Sequence, residues 1–378
     1  METYIVDGVR SPIGMKNGNL MGVRPDDLAT DVVKVLLERN KSISHSNIED
    51  MVIGCAFPEG EQGFNIGKLV TFLSGMDIKT SGMTVNRWCG SSMQSIHNAA
   101  GSIAMGSGKV FICAGVESMT RVPMLGFNPM PHPELLEQNP NVYLSMGVTA
   151  ENVAKKYNID RTQQQEFAIS SHEKANNADT NGKFEDEITI IKDKKVDVIK
   201  DGGFRPGTNQ EVLSGLKLAF DNNGTVTAGT SSPLTDGAAA TLICEEEYAK
   251  SNNLEILARI KSTAVNGCEP EVMGLGPIGA SKKALSRAGL KSSDLDIIEL
   301  NEAFASQSLA CVKDLELDEK SVNIDGGAIA LGHPLGATGA RITGKAAQLL
   351  KREGKKFALA TQCIGLGQGI ATVLEAVE

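Results

Sequence analysis

Aromatic residues are scarce in this chain, at 4% of 378 positions with a single tryptophan, Trp88. Long apolar runs are missing too. None comes near the roughly 18 residues that a membrane-crossing helix needs, and the start, "METYIVDGVR", lacks the basic and then apolar stretch of a secretory signal. No membrane partner is expected, and the chain reads as cytoplasmic. Cations are in deficit, with 37 Lys and Arg against 46 Asp and Glu for a net charge of −9. A nucleic-acid surface needs clustered Lys and Arg to displace counterions from phosphates, so nucleic acid is excluded and any anionic ligand must be held by local groups. The seven cysteines, Cys55, Cys89, Cys113, Cys244, Cys268, Cys311 and Cys363, are odd in number and never spaced as CxxC; neither a disulfide framework nor a zinc site is indicated. Walker A, GxSxG and HExxH patterns are also absent. "CIGLGQG" (363–369) imitates a dinucleotide loop, but only "IATVLEAVE" follows, too little for the helix and further strand such a site requires.

With 41% hydrophobic and 22% charged residues, the chain can form two or three domain-sized units with substantial cores. Helix-periodic segments alternate with short β-branched runs, which predicts an α/β protein. A helix is expected over 26–40, a strand over 48–57, a helix over 91–108 and a strand over 109–117. The second half repeats the plan: 43–57 lies over 289–304, pairing Asp50 with Asp296, and Phe111 pairs with Phe357 at the same separation of 246 positions. A shared register over more than sixty positions points to a duplicated unit. Residues 118–234 differ in texture: prolines crowd the start, helices follow at 149–157 and 161–178, and 181–210 is polar and turn-rich. The expected organisation is a first half at 1–117 completed by 235–262, an excursion at 118–234, and a second half at 263–378.

Four stretches embed reactive side chains among glycines: "NRWCGSSMQSI" (86–96), "NEAF" (301–304), "GGAIALGHPLGATGA" (326–340) and "CIGLGQG". Each follows an apolar or β-like run, which in a parallel α/β sheet places it near the strands' carboxyl ends, where ligands bind. Cys89, Asn301, His333 and Cys363 are thus expected to converge. Gly90, Ser91 and Ser92 turn the backbone into a helix whose free amides and dipole favour a thiolate at its start. Cys89 then reads either as a thiol with a lowered pKa or as a small buried hydrophobe, the reading that fits Cys113, Cys244 and Cys311. His333 lies in a loop too rich in glycine to be core; it is either a chemical group or a loop histidine bonded to nearby backbone. His45, His97, His132 and His172 read as structural or solvated.

In this order and spacing the four stretches resemble the active-site loops of the thiolases. The resemblance covers the whole chain and includes "VDGVRSPIG" (6–14), "MGVTAENVA" (146–154) and "TAGTSSPLTDGAAA" (227–240). It implies an αβαβα layered sandwich built from two duplicated halves, with 118–234 as an inserted loop domain that holds coenzyme A. It implies Cys89 as the nucleophile that becomes acylated, His333 as its base, Cys363 as the acid at the enolate carbon, and Asn301 as the holder of a water at the enolate oxygen. The amides of Cys89 and Gly365 would stabilise tetrahedral intermediates, and position 365 would lack a side chain so that its amide can approach the ligand. Ser232, Arg205 and Met146 would contact coenzyme A. Coenzyme A and acyl-CoA would be substrates, with no permanently bound cofactor and no metal, and the assembly would be a homodimer or homotetramer.

Within the family the motifs look closest to the degradative type, which cleaves 3-oxoacyl-CoA with coenzyme A into acetyl-CoA and a shortened acyl-CoA. Ser145 stands where biosynthetic members, which condense two acetyl-CoA, carry histidine. Thr230, Pro233 and Thr235 depart from the common form of their segment, which bears on the pantetheine contacts. A non-catalytic lipid carrier of the same fold would be expected to lack one of the four reactive groups, and a decarboxylating 3-oxoacyl synthase would pair two histidines with its cysteine.

Overall fold

The computed structural model describes residues 2–193 and 196–377. Its first part runs β1 (Thr3–Arg10), β2 (Gly14–Met15), α1 (Pro25–Arg39), β3 (Asp50–Gly54), α2 (Ile66–Leu73), β4 (Ser81–Val85), α3 (Ser91–Ala104) and β5 (Val110–Ser118). Then come α4 (Pro133–Gln138), α5 (Met146–Tyr157), α6 (Arg161–Thr180) and α7 (Gln210–Ser214) before the chain returns through β6 (Thr235–Glu245) and α8 (Glu246–Ser251). The last part is β7 (Ala258–Gly267), α9 (Gly276–Ala288), β8 (Ile297–Leu300), α10 (Ala305–Asp314), α11 (Ala328–Leu331), α12 (Leu335–Arg352), β9 (Phe357–Ile364) and β10 (Gln368–Glu375).

The protein is thus a mixed α/β molecule. Its strands run in the order β4-β3-β5-β6-β1-β7-β10-β9-β8, with β2 beside β6. In both parts a parallel pair is followed by antiparallel strands, and the registers coincide: Met51 faces Ile112 where β3 meets β5, and Ile297 faces Ala358 where β8 meets β9. Met51 to Ile297 and Ile112 to Ala358 are each 246 positions, the spacing read from the sequence. The seam between the parts is slight, two residue pairs from Tyr4–Arg259 and Ile5–Ala258, whereas β7 pairs with β10 along Arg259–Gly267. A boundary at residue 262 falls inside β7, which pairs with β10 along most of its length.

Burial explains the layering. Leu28, Val32, Val33 and Leu36 of α1 pack on Ile53, Ile112, Val116 and Leu242. Phe111, next to Ile112, points the other way and joins Met93 and Ile96 of α3, Ile342 and Leu349 of α12, and Ile297, Ala360 and Ile370 of the second half. A strand whose successive residues enter different cores is covered on both faces. Ile278 and Leu285 of α9 and Val312 of α10 cover Ile298, Leu300 and Leu359 on the far side. Helices α3 and α12 therefore lie between the two halves, in contact with strands of each.

The excursion is anchored by buried ions. Arg10 pairs with Glu187 and Asp201, each at 2.7 Å. Lys345 pairs with Glu187 and Asp325, also at 2.7 Å, and Arg352 reaches Asp325 at 2.6 Å. Among the described residues no helix is long and apolar enough to cross a membrane, and no group of three or more His, Cys, Asp and Glu is arranged to hold a metal ion.

Candidate active site

The turn before α3 is built by local hydrogen bonds. Asn86 Oδ1 accepts from the Trp88 amide at 2.9 Å, and Ser91 Oγ accepts from Arg87 N at 2.9 Å while donating to Trp88 O at 2.6 Å. This holds Trp88 at φ +46°, a left-handed conformation that a bulky residue adopts only when its surroundings impose it. Cys89 follows, buried at 3% exposure among Ala56, Phe57, Met119, Val122 and Leu335. Gly90 then starts the helix against Ile364, where a Cβ would come within 2.5 Å of that side chain.

Burial dominates the thiol's electrostatics. The Cys89 pKa is pushed up to about 12 by loss of solvent, with the nearby Glu117 carboxylate adding to the rise; the amides of Gly365 and Cys89, both directed at the sulfur, oppose it. A helix start lowers a thiol only where its charge is partly solvated. Here the apolar pocket outweighs the backbone amides that favour the anion.

The absence of a side chain at 365 has a reason in packing: a Cβ there would lie 2.3 Å from the Trp88 ring. Cys363, in β9, belongs to a second apolar group with Met146, Ala150, Val226, Met273 and Phe304. Its thiol is pushed up by burial and, next, by the neighbouring Cys89. Between them Gln362 Nε2 donates to the Cys89 carbonyl.

Asn301 ends β8, its amide bonded to Thr361 O at 3.0 Å, and its Nδ2 lies 3.4 Å from His333 Nε2. Oδ1 of Asn301 is buried without a protein partner. His333 does not follow a strand, as the sequence suggested, but sits in the short link between α11 and α12. Its amide donates to Thr235 Oγ1 at 3.0 Å, its Nδ1 lies 2.7 Å from Thr338 Oγ1, and burial, then Arg341, lowers its pKa to about 3. Two buried carboxylates hold the flanking helices by their first turns: Glu302 accepts from Ile329 N in α11 at 3.1 Å, and Glu117 accepts from Gly336 N in α12 at 2.9 Å. Glu117 also takes the amides of Ala56 and Phe57 and the side chain of Gln62, binding the wall around Cys89 to the mount of His333. Thr338, Glu117, Gln62 and Gln362 were not singled out from the sequence; Thr338 lies inside a quoted motif, and the others carry no local signal.

Of the residues assigned to a ligand, Ser232 is joined through its amide to Ala303 O at 2.9 Å, in the "NEAF" segment that contains Asn301. Met146 opens α5 after the N-cap Ser145 and packs in the group containing Cys363. Arg205 is exposed, with its backbone amide on His172 Nδ1 at 3.2 Å. Asn301 and His333 are in contact, Cys363 neighbours Cys89 and packs with Met146, and among the described residues no hydrogen bond or ion pair links Arg205 to the four.

The region holds two buried thiols, Cys89 and Cys363, and a buried imidazole in contact with an asparagine. The chain belongs to the thiolase family. Residues 3–247 match the thiolase N-terminal domain and residues 254–376 the thiolase C-terminal domain. It is 48% identical over 387 residues to a 3-ketoacyl-CoA thiolase of Shewanella loihica, covering 99% of both chains. It is 48% identical to one from Shewanella frigidimarina over the whole of both, and 45% identical to one from Bacillus subtilis over 99% of both.

Proposed function

We propose that this protein is an acetyl-CoA acyltransferase of fatty-acid degradation, cleaving 3-oxoacyl-CoA with coenzyme A into acetyl-CoA and a shortened acyl-CoA. The observation that carries the reading is the contact of Asn301 Nδ2 with His333 Nε2 at 3.4 Å, with Cys89 buried in the wall that Glu117 ties to the mount of His333. Full-length similarity to proteins named 3-ketoacyl-CoA thiolase supports it.

In this reading His333 Nε2 takes the Cys89 proton as the sulfur attacks the C3 carbonyl. The C2–C3 bond then breaks to leave an acyl-cysteine and the enolate of acetyl-CoA. The oxyanion at C3 rests on the amides of Cys89 and Gly365, each worth ~3 kcal/mol in a water-excluded site. His333 and a water on Asn301 hold the enolate oxygen, the unpartnered Oδ1 being a ready acceptor for that water, and Cys363 protonates the enolate carbon. Coenzyme A then attacks the acyl-cysteine and releases the shortened chain. Deep burial suits an enolate, which water would quench.

The same reading covers the architecture: two duplicated halves form an αβαβα sandwich, and 118–234 is a loop domain that receives coenzyme A through Met146, Ser232 and Arg205. No permanently bound cofactor is required, and the assembly is a cytoplasmic homodimer or homotetramer. The test is to mix the protein, coenzyme A and 3-oxoacyl-CoA of several chain lengths and follow loss of the substrate's enolate absorbance. Turnover of long chains by wild type, lost in Cys89→Ala, is the expected result. Activity confined to the four-carbon substrate would overturn the degradative assignment, and no turnover at all would overturn the enzyme.

A further inference from the structure

An imidazole serves as a base only through the nitrogen that carries no proton, so which tautomer a buried histidine adopts is a functional property. Three observations bear on His333. Its Nδ1 faces a single group, Thr338 Oγ1 at 2.7 Å. That hydroxyl lies 3.0 Å from Pro334 O, the back-bond to the preceding turn common for a helical threonine. A carbonyl can only accept, and a hydroxyl has one hydrogen, so the proton given to Pro334 leaves Thr338 with lone pairs toward the ring. On the other side, Nε2 faces the Asn301 Nδ2 group, a donor. Both neighbours therefore ask for hydrogen on Nδ1 and none on Nε2.

We infer that Thr338 is a positioning residue that holds His333 as the Nδ1–H tautomer and so keeps the Nε2 lone pair turned toward Cys89 and its substrate. The inference rests on the reading of His333 as the base of Cys89. In the first step the S–H bond of Cys89 breaks, an N–H bond forms at Nε2, and the electron pair left on sulfur makes the new carbon–sulfur bond. The resulting imidazolium keeps Nδ1–H on Thr338, and its new Nε2–H goes to the reacting oxygen in place of the contact with Asn301 Nδ2. A neutral orienting group differs from the carboxylate of other nucleophile–base pairs: it fixes geometry without raising basicity. That agrees with the uncharged state in which burial keeps this ring. Thr338 is itself fully buried on α12, where packing limits its rotamer, and Glu117 holds the same helix turn through Gly336 N.

The test uses the full-length protein labelled with 15N-histidine and two-bond proton–nitrogen correlation spectra, with His333 identified by the signals missing in His333→Gln. Wild type is expected to show a protonated Nδ1 and a bare Nε2. Thr338→Val, equal in shape but without the hydroxyl, should lose that pattern and lower kcat by roughly 10²-fold, within the range of a general base, with little change in KM. Thr338→Ser should recover both. A wild-type spectrum with the proton on Nε2, or Thr338→Val with wild-type kcat and an unaltered pattern, overturns the inference. The wild-type spectrum decides even where the valine variant does not fold. It is read without turnover, so a protein that fails to cleave any 3-oxoacyl-CoA would reject the function while the tautomer is judged separately.

Discussion

Helices α3 and α12 occupy matching places in the two halves and lie against each other between them, yet their entrances differ. The first is entered through Trp88, Cys89 and Gly90, the second through Gly332, His333 and Pro334. The helices meet closely: Ala340 N donates to Ser92 Oγ at 2.8 Å, and a Cβ on Gly339 would sit 2.2 Å from Met93 N. In the proposed reading one helix start contributes the nucleophile and the other the base, so the fit between the helices would set how the two groups face each other.

The largest effect should come from removing one contribution outright. His333→Ala is expected to lower thiolysis about 10⁴-fold, the upper range for loss of an acid–base group, and Cys89→Ala, which removes the nucleophile, at least as much. Cys89→Ala should also show no acyl-enzyme in intact-mass measurement. Next in size, Gly365→Ala drives a methyl into the Trp88 ring and displaces an amide from the sulfur; kcat should fall about 10²-fold, as for loss of one oxyanion donor, with the thermal midpoint changed far less.

A third measurement asks whether the two entrances share a charge at rest. The thiol is pushed up to about 12 and the imidazole down to about 3. An acid with a raised pKa stays protonated and a base with a lowered pKa stays neutral, so the resting pair is uncharged across the neutral range. Alkylation of Cys89 by iodoacetamide should therefore accelerate about tenfold per pH unit between pH 7 and 9. A flat profile would mean a preformed thiolate–imidazolium pair. The smallest effect is expected from Ser92→Ala, which removes the hydrogen bond between the helices and should cost about 1 kcal/mol, read as a lower thermal midpoint with kcat nearly intact.

What could be read in the sequence follows the range of the interactions. Cys89, Asn301, His333 and Cys363 stand in short segments whose glycines and reactive side chains are adjacent, and the 246-position register survives because strands β3, β5, β8 and β9 keep their hydrophobic pattern. Glu117 and Gln62 were not legible, since a glutamate at a strand end shows its role only when amides 60 and 219 residues away arrive at it. The burial of the thiol was not legible for the same reason: a helix start is local, while the pocket around Cys89 depends on Phe57, Met119, Val122 and Leu335, brought in from three other segments.

The chain of ions through Arg10, Glu187, Lys345, Asp325 and Arg352 has a consequence for descent. Removing one member of a buried pair strands its partner's charge at a cost of about 3–5 kcal/mol, so a change at Glu187 is tolerated only with compensation at Arg10 and Lys345. The far leg of the excursion is thereby inherited together with β1 and α12. Neutral drift should be slow there and faster at the proline-rich near leg, whose ion pair between Arg121 and Glu61 is partly exposed.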